Sequence, residues 1–235
     1  MTAEDKFAQL LGQGFSYVGG GYLEAGGGAG GRAGGERHGS TLGVSGPGAG
    51  GAGTAPAVPI LPHTSAARKQ RPIVTGVLDY FPDAITLASE IEVSEDDDIV
   101  ECLLDRGSSD YRGPVSVVAF RRALNLLNLE LGCPAYEDSF AKLEPFFDAY
   151  GRALAAVAEH SFAGNEKHNP GEPLRHARSK STDQENAALR HFLERGGTDP
   201  ELGTLSTAAL VWRLGVLAQI ELEEQGAPMA RGARL

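Results

Sequence analysis

A glycine-rich tract near the N-terminus is the feature that most limits how this 235-residue chain can fold. Between Gly19 and Gly53 glycine dominates, and apolar residues are isolated. Such a segment cannot bury enough apolar surface to offset the entropy lost when it is ordered. The sequence therefore predicts a disordered arm over residues 1–67, with a short amphipathic helix over residues 2–11 as its one candidate element. The core has to come from Arg68 onward, which is enough chain for one sizeable core.

The acidic composition excludes several classes of partner. The formal net charge is −10, which argues against a nucleic-acid groove or an anionic membrane as the main partner. No apolar run approaches the ~18 residues that a membrane span requires. Two cysteines, Cys102 and Cys133, are too few for a disulfide framework, and the N-terminus lacks the apolar core of a secretory signal. These features predict a cytoplasmic protein with reduced thiols.

From Pro72 onward, apolar residues recur at helical spacing, and proline and glycine mark where helices begin and end. No convincing strand signal follows Val77, so the sequence predicts an all-α helical bundle. A stretch with two prolines and two glycines, residues 164–180, is predicted to be a long loop. The predicted helices are one that begins near Pro82, then residues 96–107, 114–132, 145–162, a helix capped by residues 181–183 that runs through Arg195, and residues 203–224.

The two halves of this helical region resemble each other, which predicts an internal duplication. LLDRGSSD parallels FLERGGTD, and FRRALNLLNLELG parallels WRLGVLAQIELEEQG. Only the second copy contains the histidine-rich stretch. The predicted organisation is a first, degenerate helical unit at residues 68–133, a second unit carrying the site at residues 134–226, and a tail at residues 227–235.

Carboxylates are unusually dense between residues 155 and 199. Phosphoryl chemistry with a hard cation needs several convergent carboxylates, because Mg2+ prefers oxygen ligands and bridges them to phosphates. Acids on helices are more often solvated, so a solvated face is the alternative interpretation. The candidate metal ligands lie on two predicted helices and at their ends: Glu159, Glu166, Asp183, Glu194 and Asp199.

Basic and imidazole groups accompany these acids. Arg175, Arg178 and Lys180 precede a predicted helix start, where the helix dipole already favours anions, so they are candidates for a triphosphate grip. A solvated loop is the alternative. Arg190, His191 and Glu194 share about one helix turn, an arrangement that could hold or polarise a phosphate, although His191 could equally be a satisfied structural histidine. The sequence contains neither a P-loop nor a GxSxG motif.

Four blocks of the sequence resemble the dATP/dGTP diphosphohydrolase domain of many phage and actinobacterial proteins. The blocks are VLDYFPDA, ALAAVAEHSFAGNEKHNPGEPLRHARSKSTD, LRHFLERGGTD and WRLGVLAQIELE. That domain is similar in mechanism to the all-α, MazG-like nucleoside triphosphate pyrophosphohydrolases. The resemblance implies a MazG-like bundle that hydrolyses purine (deoxy)nucleoside triphosphates to monophosphate and pyrophosphate, with water activated by Mg2+ or Mn2+.

The resemblance also implies roles for individual residues, a homodimer or higher homo-oligomer, and a bacterial or phage-infected cell. Residues 204–207 (TLST) stand where the family's last helix usually opens with histidine. A catalytically inactive helical module for nucleotide binding or assembly is therefore the alternative. The resemblance and the residue patterns together give the predicted site. The predicted catalytic residues are Glu166, Glu194 and His191, the predicted substrate-binding residues are His168, Arg175, Arg178, Lys180 and Arg190, and the predicted metal ligands are Glu159, Glu166, Asp183, Glu194 and Asp199.

Overall fold

The structure is a computed structural model that describes residues 15–18, 22–25, 64–95, 97–105, 115–180 and 182–234. Helices dominate these ranges, which confirms the predicted all-α class. They are α1 (Ser65–Lys69), α2 (Pro82–Glu90), α3 (Ile99–Asp105), α4 (Val115–Glu130), α5 (Leu143–His168), α6 (Gln184–Leu193) and α7 (Ser206–Glu224), with a π-helical turn at Val74–Leu78 and a 3-10 turn at Arg178–Lys180. Four short strands form two pairs: antiparallel β1 (Phe15–Val18) and β2 (Tyr22–Ala25), and parallel β3 (His176–Ala177) and β4 (Ala233–Arg234).

Helix α7 lies at the centre of the core, in contact with α2, α4, α5 and α6. Its continuous apolar sequence is typical of a helix that is buried on most sides, and Leu210 and Leu214 are fully buried. A Cβ on Gly215 would lie 3.0 Å from the Phe81 ring and 3.1 Å from the Phe120 ring. Glycine therefore allows these rings to approach the α7 backbone. The MazG-like arrangement and the internal duplication stay predictions.

Helix α5 is longer than the sequence predicts, so the predicted loop is wrong over residues 164–168. Gly164 and Asn165 are accommodated within the helix, and Asn165 is buried. The Asn165 side-chain amide donates a hydrogen bond to the carbonyl of Glu172 at 2.8 Å, a tertiary bond that stabilises the last turn. Glu166 and His168 consequently lie on α5, and both are exposed.

Two short strands pair within the segment predicted as a disordered arm, and the disorder of the arm as a whole stays a prediction. Strands β1 and β2 pair with Phe15 opposite Ala25 and Val18 opposite Tyr22. Both strands contain aromatic and aliphatic residues, which favour strand conformation. The helix predicted over residues 2–11 lies outside the described residues, as does the glycine-rich tract from residue 26.

The C-terminal residues, predicted as a tail, pack against the helical body. Ala230 and Ala233 are buried. The backbone N–H of Gly232 donates to the carbonyl of Asp79 at 2.6 Å, and the N–H of His176 donates to the carbonyl of Gly232 at 2.9 Å. The last residues therefore hold β3, and with it His176, against the turn that precedes α2.

Substitution of Gly232 by alanine is expected to destabilise the protein by about 1–3 kcal/mol, because the new Cβ overpacks a close contact. That atom would lie 2.5 Å from Tyr80 Cδ1 and 2.8 Å from the Asp79 carbonyl oxygen, so both would have to move. Urea unfolding measures the loss. Gly164→Ala is the matched control. Gly164 lies within α5, and the nearest atom to its new Cβ would belong to Leu202, at 3.9 Å. Equal stability of the Gly232 variant and the wild type would show that the C-terminus does not dock in this way.

Within the ranges that the structure describes, none of the helices combines the length and the apolar character needed to cross a membrane.

Candidate functional site

Two histidines contact the chain's single tryptophan, and a third contacts one of them, at the junction of α5, α6, α7 and β3. The Trp212 ring centroid lies 5.1 Å from that of His176 and 6.4 Å from that of His160. The His191 ring lies 6.4 Å from the His160 ring. We refer to His160, His176, His191, Trp212 and the adjacent Arg213 as the histidine cluster.

His160 is held in a neutral form inside this cluster. It is buried, and its Nδ1 lies 2.9 Å from the Thr204 hydroxyl. Burial, together with the nearby His191 and Arg213, lowers the pKa of His160 to about 4. At neutral pH the ring is uncharged, so it can accept one hydrogen bond and donate another.

His176 is the least satisfied polar side chain in this region. It is only 6% exposed, yet neither ring nitrogen has a hydrogen-bond partner among the described residues. Burial, and then the charge of Arg178, lowers the pKa of His176 to about 4. Because a neutral imidazole still carries one N–H, the fold buries a donor at a cost of about 1–3 kcal/mol. A buried polar group of this kind indicates a binding partner, either water or a ligand.

His191 and Trp212 add two further polar atoms to the cluster. Neither His191 Nδ1 nor Trp212 Nε1 has a hydrogen-bond partner within the described part of the chain. The His191 side chain is 15% exposed, and its Nδ1 lies 3.9 Å from a carboxylate oxygen of Glu194. Burial and the Arg213 charge lower the pKa of His191. The cluster thus combines neutral imidazoles with a fixed cation, Arg213, whose guanidinium donates to Gln184 at 2.7 Å.

Asp199, a predicted metal ligand, shapes the loop beside this cluster. Its Oδ1 accepts hydrogen bonds from the backbone N–H groups of Glu201 at 2.8 Å and Leu202 at 2.9 Å. Burial opposes ionisation, but these hydrogen bonds and the nearby His160 and His191 together outweigh it and lower the pKa of Asp199. The Asp199 N–H also donates to the Thr204 carbonyl at 2.7 Å. The observed role of Asp199 is therefore to position Thr204 against His160.

The other predicted metal ligands lie apart from one another. Glu159 forms an ion pair with Arg71, in which Oε2 and Nη2 are 2.8 Å apart. Glu166 lies two turns further along α5 and is exposed. Asp183 and Glu194 lie at opposite ends of α6, as its N-cap and C-cap residues. Eleven residues of helix correspond to about 16 Å along the axis, too far for both to hold one ion.

In the described ranges, no three histidine, cysteine, aspartate or glutamate side chains form a group that could hold a metal ion. The residues present therefore do not fit a single resident Mg2+ site. The five-carboxylate metal site stays a prediction that rests on the resemblance.

The predicted triphosphate grip is divided among separate partners. Arg178 points inward and makes a two-hydrogen-bond ion pair with Glu223, in which Nη2 and Oε1 are 2.7 Å apart. Burial alone would raise the pKa of Glu223, but the Arg178 hydrogen bonds lower it overall. Arg175 pairs with Glu172 at the surface, and Lys180 Nζ donates to Asn169 Oδ1 at 3.3 Å. Arg178 thus fastens the 3-10 turn to α7.

Two remaining predicted residues lie near the surface. Arg190 is exposed and sits 3.4 Å from the Asp183 carboxylate, and His168 is exposed at the end of α5. Of the predicted site residues, His191 belongs to the histidine cluster, and Glu194 and Asp199 border it.

Sequence reasoning missed His176, Trp212, Arg213 and Thr204. A signal existed for one pair: the chain's single tryptophan is followed by a charged arginine inside its most apolar helix. A charged residue in a buried helix commonly marks a polar interior contact. His176 gave no such signal, because its burial depends on β4, which lies almost 60 residues further along the sequence.

Comparisons of the chain with family models, with curated proteins and with solved structures found no match.

Proposed function

We propose that the chain binds purine nucleoside triphosphates at the histidine cluster and hydrolyses them to monophosphate and pyrophosphate. The observation that carries this proposal is His176, a buried imidazole with two unpartnered nitrogens beside the unpartnered Trp212 Nε1. A purine edge offers both donors and acceptors, so it is complementary to neutral imidazoles and an indole N–H. The four blocks that resemble the diphosphohydrolase domain contribute Tyr80, His160, His176, His191 and Trp212 to this one region.

His191 is the proposed general base. Its lowered pKa keeps the ring neutral at pH 7, and its Nδ1 lies 3.9 Å from a carboxylate oxygen of the exposed Glu194. A neutral imidazole can take a proton from an attacking water, and Glu194 can stabilise the imidazolium that results. Arg213 supplies a fixed positive charge for a developing negative charge on phosphate.

A divalent cation enters the proposal as a companion of the substrate. Mg2+ or Mn2+ is commonly bound by one or two carboxylates together with substrate phosphates. The exposed Glu166 and the 58% exposed Glu194 are the carboxylates available for that role. When bound, the ion would neutralise phosphate charge.

A non-catalytic nucleotide-binding or assembly module is the second candidate. Two observations favour it: the predicted metal ligands are separated, and Arg178 is held by Glu223. Thr204 lies in the segment where the diphosphohydrolase domain usually has histidine, and here its hydroxyl is hydrogen-bonded to His160. Under this candidate the cluster binds the nucleotide without cleaving it.

Product analysis with dATP, dGTP, GTP and dCTP, in Mg2+ or Mn2+, tests the proposal. We expect monophosphate and pyrophosphate, and a rate about 100-fold lower for His191→Gln, the usual effect of removing a general base. Glu166→Ala tests the predicted catalytic role of this carboxylate in the same assay. Glu144→Gln, an exposed carboxylate at the far end of α5, is the control and should keep the wild-type rate.

If calorimetry shows nucleotide binding but the assay shows no turnover, the second candidate function replaces the hydrolase proposal. If the protein shows neither binding nor turnover of these nucleotides, both candidate functions are rejected. The resemblance also leads us to propose a homo-oligomer in the cytoplasm of a bacterial or phage-infected cell, and light scattering of the purified chain measures its mass in solution.

A further inference from the structure

A cavity of about 290 Å3 lies between α5, the end of α4 and the loop that precedes α7. Its walls combine cationic, apolar and hydroxyl groups with one carboxylate, Glu159. This volume is at the lower end of the range for ligand pockets, which suits a small molecule. The lining residues are Arg71, Leu131, Arg152, Ala156, Glu159, Gly203, Thr204 and Leu205.

The charge of the cavity is locally positive in an acidic protein. Arg71 contributes one cation that Glu159 neutralises through two contacts, at 2.8 and 2.9 Å. Arg152 contributes a second cation, whose Nη1 lies 3.4 Å from Cys133 Sγ. Across the described residues, no carboxylate forms an ion pair with Arg152. An unneutralised guanidinium beside a cavity is unusual in a chain of net charge −10, because acids are abundant enough to pair with it.

The cavity is built on rigid elements. Arg152, Ala156 and Glu159 recur at helical spacing, so they share one face of α5. The opposite wall is the loop that Asp199 organises, in which the Ser206 N–H donates to the Gly197 carbonyl at 3.0 Å and Thr198 pairs with Leu205. These bonds stabilise the conformation of the loop, and the contact between Thr204 and His160 connects it to α5.

From this arrangement, we infer that the cavity binds a small organic oxyanion, a carboxylate or phosphomonoester carried on a short apolar body. A guanidinium can bind either group through two parallel hydrogen bonds. Arg152 would take the oxyanion, and Leu131, Ala156 and Leu205 would contact the apolar body. The site goes beyond the proposed function, since no member of the histidine cluster lines it. The 2.9 Å contact between Thr204 and His160 joins the two sites.

Calorimetry with the full chain and two matched probes, butyl phosphate and valerate, tests the inference. We expect saturable binding of at least one probe, and their relative affinities identify which oxyanion the cavity prefers. Arg152→Met removes the charge while keeping an aliphatic side chain, and Ala156→Leu fills the cavity without changing charge. Each should weaken binding at least about tenfold, as expected for the loss of a charge-assisted hydrogen bond or of ligand volume.

Arg231→Met is the matched control, because Arg231 is an exposed arginine outside the cavity that pairs with Asp79. It should bind the probes as the wild type does, and circular dichroism should show that all three variants are folded. No saturable binding of either probe would overturn the inference. Wild-type affinity in either the Arg152 or the Ala156 variant would also overturn it, since the probe would then be bound elsewhere.

Discussion

Replacement of Arg121 by methionine is expected to lower the free energy of unfolding by about 3–5 kcal/mol. Arg121 is completely buried in the first half of the helical region. Its guanidinium donates hydrogen bonds to the carbonyls of Ala88 at 2.9 Å, Asp138 at 2.9 Å and Tyr136 at 3.2 Å. These bonds join the end of α2 to the connector between α4 and α5, and their loss removes a charged donor from the buried Ala88 carbonyl and from two part-buried carbonyls of the connector.

Aromatic rings surround the same guanidinium. Its carbon atom lies 4.8 Å from the Phe140 and Tyr150 ring centroids and 5.4 Å from that of Phe146. Cation–π contacts of this type are worth about 0.5–2 kcal/mol when they are desolvated. Burial lowers the pKa of Arg121, which shows that the charge is held at a cost in solvation. Methionine would fill most of the volume but could replace neither set of contacts.

Urea unfolding of Arg121→Met, with Arg122→Met beside it, measures this effect. Arg122 is the next residue and is partly exposed. Its guanidinium donates hydrogen bonds to the carbonyls of Asp97 and Glu95, each at 3.1 Å. Its loss should cost about 1 kcal/mol, because water can reach those carbonyls. If the two variants unfold at the same urea concentration, Arg121 does not join α2 to the connector.

The helices that were predicted correctly have signals within their own sequence. Pro82 begins α2, and the glycine that follows α4 ends it at a positive φ of 70°. The end of α5 could not be predicted in this way, because the bond from Asn165 to Glu172 is tertiary. Local propensity predicted a break at Gly164, and packing overrode it.

The candidate site was predicted less well than the fold, for a related reason. Residue type and spacing identified His191 and Asp199 as polar groups near one end of a helix pair. The sequence does not specify which acids already have partners, such as Glu159 with Arg71 and Glu223 with Arg178. An ion pair between residues 88 positions apart has no local pattern, so a dense run of charges overstates the number of groups available to a ligand.

Acidification from pH 7.5 to pH 5.0 is expected to lower the free energy of unfolding by about 4 kcal/mol, about 2 kcal/mol from each of His160 and His176. Both have a folded-state pKa of about 4 against a usual value of 6.5. Above pH 6.5 the rings are neutral in the folded and unfolded states. Between pH 6.5 and 4 the unfolded chain binds protons that the folded chain excludes, so stability falls as the pH falls. Below pH 4 both states are protonated, and this loss levels off.

Other groups near the two rings do not reverse this direction. His191 also has a lowered pKa and adds to the loss. Asp199 and Glu223 have lowered pKa values, so they stay ionised in this window and contribute only in stronger acid. Urea unfolding at the two pH values measures the difference. His176→Gln should reduce it to about 2 kcal/mol. A pH-independent stability would contradict the buried, neutral state of both histidines, and with it the complementarity of the cluster to an uncharged purine edge.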